Sequence, residues 1–359
     1  MLAVGLSALL VTAGCAGAIG ELGTDGDGGS GPHVDSVPAS AEYVAYVDAA
    51  GMASDESLRS IANAALEASS EDEDAPSDVD AAFTAAENDS GLDPTRVHAV
   101  TAFGATPENP MERGGSSAMV LSTSYTEDEL VSAMEAEGVE RSEETYGDTT
   151  LYVDESDERG EAVLAVLGDG TFALGDQSAV ERVVDVRSGD ADALEGDLKA
   201  AFEATGDGYV RFAMATPTQT PLSPDDQATA GPRMEASVLE NVSHVSGSFA
   251  TGDGNVTTTV NFVAASESDA QQLYDIVDGA LSLYAGTGEQ AGETQAALDA
   301  VSVEQDGETV TVTHTDTVER IESQVQALYG LGSAGAFANE SASDSNSSSA
   351  SVGAVAAGE

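Results

Sequence analysis

The chain has no tryptophan, a single cysteine, and only 11 lysines and arginines, of which one, Lys199, is lysine. With Cys15 as the sole thiol no intramolecular disulfide can form, so oxidising surroundings cost the chain nothing. One cysteine and four dispersed histidines (His33, His98, His244, His314) supply no zinc cluster of the C-x-x-C or H-E-x-x-H kind. The scarcity of cations excludes a basic stripe, and with it nucleic acid as a partner. No Gly-x-Ser-x-Gly elbow and no phosphate loop are present. The sequence therefore points to no cofactor, no metal and no catalytic residue, and the chain reads as a non-enzyme.

What fills the space is acid. Asp and Glu number 65, and the formal net charge is −54. Such a surface strains a compact state by self-repulsion. In molar salt the Debye length contracts to about 3 Å and most of that repulsion is screened. The composition looks like that of a salt-loving archaeon. High net charge also fits disorder, but hydrophobic residues at 41% and clear periodic segments argue against disorder in the middle of the chain.

Leu2 to Ala13 is a short apolar run. A membrane-spanning helix needs about 20 apolar residues, so this one suits the apolar part of a secretory signal instead. The small residues Thr12, Ala13 and Gly14 precede Cys15. The stretch "TAGC" resembles a lipobox, and the chain is similar in this to secreted lipoproteins of haloarchaea. The resemblance implies that residues 1–14 are a signal peptide and that Cys15 becomes residue one, carrying lipid on its sulfur. It also implies that the membrane is the partner and the outer face of the cell membrane the location. No Lys or Arg precedes Cys15, so we expect the true start upstream of Met1, with twin arginines in the missing stretch. The competing reading is a buried structural cysteine.

Asn88, Asn241, Asn255, Asn339 and Asn346 all stand in N-x-[ST] motifs, five of the chain's eight asparagines. They are candidate glycosylation sites and support export.

Along the chain, residues 15–37 are Gly- and Asp-rich and read as a flexible tether after the lipidated cysteine. Residues 332–359 are a Ser/Ala/Gly tail that reads as disordered. Between them the sequence repeats itself. "EYVAYVDAA" from Glu42 matches "GYVRFAMAT" from Gly208, pairing Tyr43 with Tyr209, Val44 with Val210 and Tyr46 with Phe212. "HAVTAF" from His98 matches "HVSGSF" from His244. A strand and a capped helix follow in each half: Thr126 with Glu129, and Ser266 with Asp269. Then come hairpins turning at Asp169-Gly170 and Asp306-Gly307. Each half closes on a helix bearing Val-Glu-Arg, at Val180 and at Val318. The expected fold is α+β: a strand-helix-strand-strand-helix-strand-strand-helix unit used twice, over residues 38–195 and 196–331. The sheets are expected mostly antiparallel, with helices on one face. First helices are expected at Ser54–Ala68 and Gln227–Glu240. The layout is similar to duplicated surface proteins of bacteria and archaea with no assigned function.

His98 and His244 are matched across the repeat, which favours fold markers over catalysis. His33 falls in the tether and His314 at a hairpin end, neither with an evident partner. Glu71–Asp74 and Asp225-Asp226 read as solvated acid rather than a calcium loop, and "TPTQTPLSPDD" from Thr216 as a rigid connector. These features point to a lipid-anchored, exported cell-surface protein of a halophile, a non-enzymatic envelope or binding component. The alternatives are a solute-binding lipoprotein of a transporter and an extracellular hydrolase.

Overall fold

In the computed structural model the described residues are 31–69, 75–105, 116–136, 141–154, 163–216, 241–286 and 300–326. Cys15, most of the tether, Glu71–Asp74, nearly all of the Pro-rich connector, the 227–240 segment and the 332–359 tail lie outside them.

The fold is α+β. Its strands are β1 (Tyr43–Asp48), β2 (Val97–Gly104), β3 (Ser117–Thr123), β4 (Arg141–Tyr146), β5 (Thr149–Asp154), β6 (Val163–Gly168) and β7 (Thr171–Gly175) in the first half. The second half adds β8 (Val210–Ala215), β9 (Val242–Gly252), β10 (Asn255–Ala264), β11 (Val301–Asp306) and β12 (Thr309–Thr317). All twelve join one sheet in the order β11-β12-β10-β9-β8-β1-β2-β3-β7-β6-β5-β4. Every pairing is antiparallel. The helices are α1 (Ala49–Ser54), α2 (Glu56–Ser69), α3 (Val79–Ser90), α4 (Glu127–Ala136), α5 (Gln177–Ser188), α6 (Gly196–Glu203), α7 (Glu267–Gly286) and α8 (318–326).

The two halves share a strand order. β1-β2-β3-β7-β6 in one corresponds to β8-β9-β10-β12-β11 in the other, and β1 pairs with β8 at the seam. The halves are thus one body rather than two lobes. The first adds a hairpin, β4–β5, at its outer edge.

Cross-strand partners repeat as well: Val44 faces Phe103, and Val210 faces Phe249. At the seam, however, Val44 stands opposite Ala213, and Phe212 stands opposite Ala45. Directly opposed residues share a face, and successive side chains alternate between faces. Val44 and Tyr46 therefore lie on one side of the sheet, and their sequence counterparts Val210 and Phe212 on the other. The Phe212 ring lies against Gly247, where a Cβ would come within 2.8 Å of it. A one-residue slip in register inverts a whole strand.

Helices cover both faces, which corrects the one-face expectation. In β6, Leu164 packs with Tyr125, Leu130 and Met134 on the α4 side, while its neighbour Ala165 packs with Val180 and Val183 of α5. Phe202 of α6 belongs to the α5 side, together with Tyr46 and Ala213. Ala270 and Leu273 of α7 pack on Phe262 and Val310, on the α4 side. The reason lies in "AVLAVLG": an unbroken apolar run belongs to a strand buried on both faces. β12, "TVTVTHTDT", alternates instead. Val310 is buried under α7, and Thr311 and Thr315 on the other face bond Asn261 and Thr257 of β10 at 2.9 and 2.8 Å.

Turns follow their residues. Asp169 and Gly170 both take positive φ, 52° and 71°, as a type I′ hairpin turn needs. At the second hairpin only Gly307 does, at 58°. That turn sits on Gly307-Glu308 rather than on Asp306-Gly307.

Both expected caps form. The Thr126 Oγ1 accepts from the Glu129 amide at 3.3 Å, and the Glu129 carboxylate accepts from the Thr126 amide at 2.9 Å. The Ser266 Oγ likewise accepts from the Asp269 amide, at 3.2 Å. Arg96 donates to the Glu129 carboxylate, and this, with the Thr126 contacts, lowers its pKa to about 2. Glu129 therefore stabilises the fold fully above its ordinary value near 4.5, and the contribution fades as pH falls from there towards 2. Replacing the cap, Thr126→Ala, is expected to cost about 1 kcal/mol. Urea unfolding in molar KCl measures it; a midpoint equal to wild type contradicts the cap's role.

Candidate functional site

The site that emerges is a junction, built by residues 31–41 on the α5/α6 face of the sheet. The tether expected over residues 15–37 is not free at its end. Val34 and Val37 are buried, at 7% and 0% exposure, in the same core as Val44, Phe103 and Phe202. A 3-10 turn, Val34–Ser36, closes by the Val37 amide donating to the Val34 carbonyl at 3.0 Å. A short ladder follows. The Leu194 amide donates to Val37 O at 2.7 Å and the Ala39 amide to Asp192 O at 3.0 Å, around a Pro38–Ala193 bridge.

His33 heads this strap, and it does have partners. Its backbone amide donates to Thr101 Oγ1 at 3.0 Å, and its Nε2 lies 2.6 Å from Ser122 Oγ. Thr101 and Ser122 are buried polar residues of β2 and β3, and bonding to His33 offsets part of their desolvation. Burial of the imidazole, then the Arg187 charge, pushes its pKa below the ordinary 6.5. The ring is therefore neutral at neutral pH.

Three cations flank the strap. Lys199, the chain's one lysine, donates to Asp35 at 2.7 Å. Arg187 reaches Ser36 Oγ at 3.5 Å and Leu167 O at 3.2 Å. Arg182 lines a cavity of about 10 Å³ with Pro38, Ala41 and Phe103, near the lower limit for one water molecule. The His33–Ser122 pair has the spacing of a nucleophile and base, but Ser122 is only 6% exposed. The pair fastens a segment rather than opening to a substrate.

The other residues singled out in the sequence do not converge. His98 is on β2 and His244 on β9, with β1 and β8 between those strands. His244 Nδ1 lies 3.2 Å from the adjacent Ser243 Oγ. His314 lies within β12, opposite Thr258 and Val301, and not at a hairpin end. Among the described residues no three His, Cys, Asp or Glu side chains gather as metal ligands. Asn88 is exposed in the last turn of α3. Asn241 is exposed and donates to Asp269 at 2.9 Å; Asn255 opens β10, half-buried, 3.4 Å from Asp253 O. Asn339 and Asn346, like Cys15, are outside the described residues.

The sequence did carry a signal for the junction. In "GPHVDSVP" two valines three apart interrupt a Gly/Asp tract. Apolar residues at that spacing meet on one side of a helical turn.

No family model matches the sequence, and no curated protein does. Among solved structures the chain is similar to TP0453 in crystal forms III, I and IV, at 13%, 14% and 12% identity. The alignments cover 82% of this chain and 96–97% of those chains, with TM-scores of 0.42, 0.40 and 0.42. Likeness at that level leaves the function to be argued from this chain's own residues. Among the described residues no helix is long and apolar enough to cross a membrane.

Proposed function

We propose that this is an exported protein of a halophile, held at the outer face of the cell membrane by lipid on Cys15. Its role there is non-enzymatic, as a surface or envelope component. The observation that carries this reading is the position of the one thiol: "TAGC" closes an apolar run, and a Gly/Asp-rich stretch then leads to the strap. The strap gives such a tether a firm attachment to the body, through His33, Val34, Val37 and the Asp35–Lys199 pair. A single acyl chain holds a protein only marginally, whereas two hold it stably, so a diacylglyceryl-type group is the expected modification. The acidic body repels anionic lipid, which leaves attachment to the lipid on the cysteine. Asn88 is the best placed of the described glycan acceptors, being exposed at a helix end.

The test is Cys15→Ser in the native host, with a radiolabelled lipid precursor. Wild type is expected in the membrane fraction with label, and the variant in the medium without it. Unchanged membrane association of the variant overturns the reading.

A further inference from the structure

We propose that residues 31–37 form a strap that detaches from the sheet when His33 takes up a proton, lengthening the segment ahead of the body. The device stands on geometry that holds whether or not Cys15 carries lipid.

His33 is the strap's outermost fixed point. The groups that hold it are neutral and buried: Thr101 from β2 at its amide and Ser122 from β3 at its ring. The charged group that acts on the ring is Arg187 of α5, which opposes a second positive charge. The nearest acid on the strap itself, Asp35, is engaged by Lys199 of α6. A protonated ring in this slot is partly desolvated beside a cation, and the undocked strap relieves both.

Undocked, the ring titrates near 6.5; docked, it titrates lower. The docked strap is therefore fully favoured above 6.5, and its hold weakens as pH falls from there towards the docked value.

A stop exists beyond the strap. The Ala39 amide's bond to Asp192 O and the Pro38–Ala193 bridge hold the chain at Pro38, while the Leu194–Val37 bond is given up with the strap. Past it, the Glu42 amide donates to Gly104 O at 2.8 Å, where β1 begins. Freeing residues 31–37 adds seven residues to the leading segment, up to roughly 25 Å when extended.

The experiment uses the full chain in molar KCl. Amide exchange is followed from about pH 8 to about pH 5, with the His33 ring titrated in parallel by proton NMR. Exchange at Ser36 and Val37, corrected for intrinsic rate, is expected to rise at least about tenfold at the acid end while β1 amides stay protected. Its midpoint is expected to coincide with the His33 titration, below 6.5. His33→Gln, which keeps a side-chain amide for Ser122 and cannot titrate, is expected to abolish the pH dependence. Unchanged protection at low pH, a midpoint that does not track His33, or the same acid loss in His33→Gln overturns the proposal. The first two readouts need only wild type, so a poorly docked variant does not blunt the test.

Discussion

Moving the protein from molar KCl into dilute buffer is expected to unfold it. Its 65 carboxylate residues face 11 cations; three of those cations lie against aromatic rings, and two of the three, Arg96 and Arg141, also pair with a glutamate each. Arg211 is drawn in against the Phe202 ring, 4.5 Å from its centre, and burial lowers its pKa. Arg96 lies 3.9 Å over Tyr125, and Arg141, whose side chain is 9% exposed, lies 5.7 Å from Tyr152. The remaining acid is screened by salt or not at all. Between about 0.1 M and 1 M the Debye length falls from about 10 Å to about 3 Å, so repulsion between neighbouring surface carboxylates returns on dilution. Circular dichroism followed down a KCl series is expected to show cooperative loss of structure below about 1 M. A compact, cooperatively folding protein in dilute buffer contradicts this account of the charge.

Phe202→Ala is expected to destabilise the fold by about 3–5 kcal/mol. The side chain is 1% exposed and stands among Tyr46, Ala213 and Leu198 at the seam of the two halves. Its ring also lies under the Arg211 guanidinium, 4.5 Å from ring centre to Cζ. The Arg211 Nη2 donates to Phe202 O at 3.1 Å and its Nε to Thr205 Oγ1 at 3.0 Å, while Arg211 faces Tyr46 across β1 and β8. Truncation leaves a cavity and a guanidinium without its ring, so the loss comes from packing and from charge together. Urea unfolding in molar KCl reads it. A cost under about 1 kcal/mol would mean that the seam does not depend on this residue. Phe202→Leu, which keeps most of the volume, is expected to cost less.

Strands and caps were legible in the sequence because their signals are local. β1, β8, β10 and β12 alternate, Thr126 and Ser266 cap with acids three residues on, and Asp169-Gly170 makes its turn. The β4–β5 hairpin is not legible in the sequence because β4 is an edge strand, "RSEETY", with three exposed residues in a row and no apolar face. The distribution of helices between faces was written in the unbroken run of β6, but a run of that kind gives no direction by itself. The register at the seam was out of reach: Val44 and Val210 have the same local surroundings in sequence, and only the pairing of β1 with β8 separates their faces. The same holds for the junction. His33 meets Ser122 across 89 positions of sequence, and no local pattern records a contact of that span.

The strap leads into β1, which has β2 on one side and β8 on the other. Tension on the chain ahead of Gly31 thus enters the molecule through an interior strand. To extract β1 the pull must break two hydrogen-bonded ladders at once, whereas an end strand such as β4 or β11 is held by one. The strap's contacts stand ahead of β1 along the chain, so a pull from that side meets them before it meets the two ladders of the sheet.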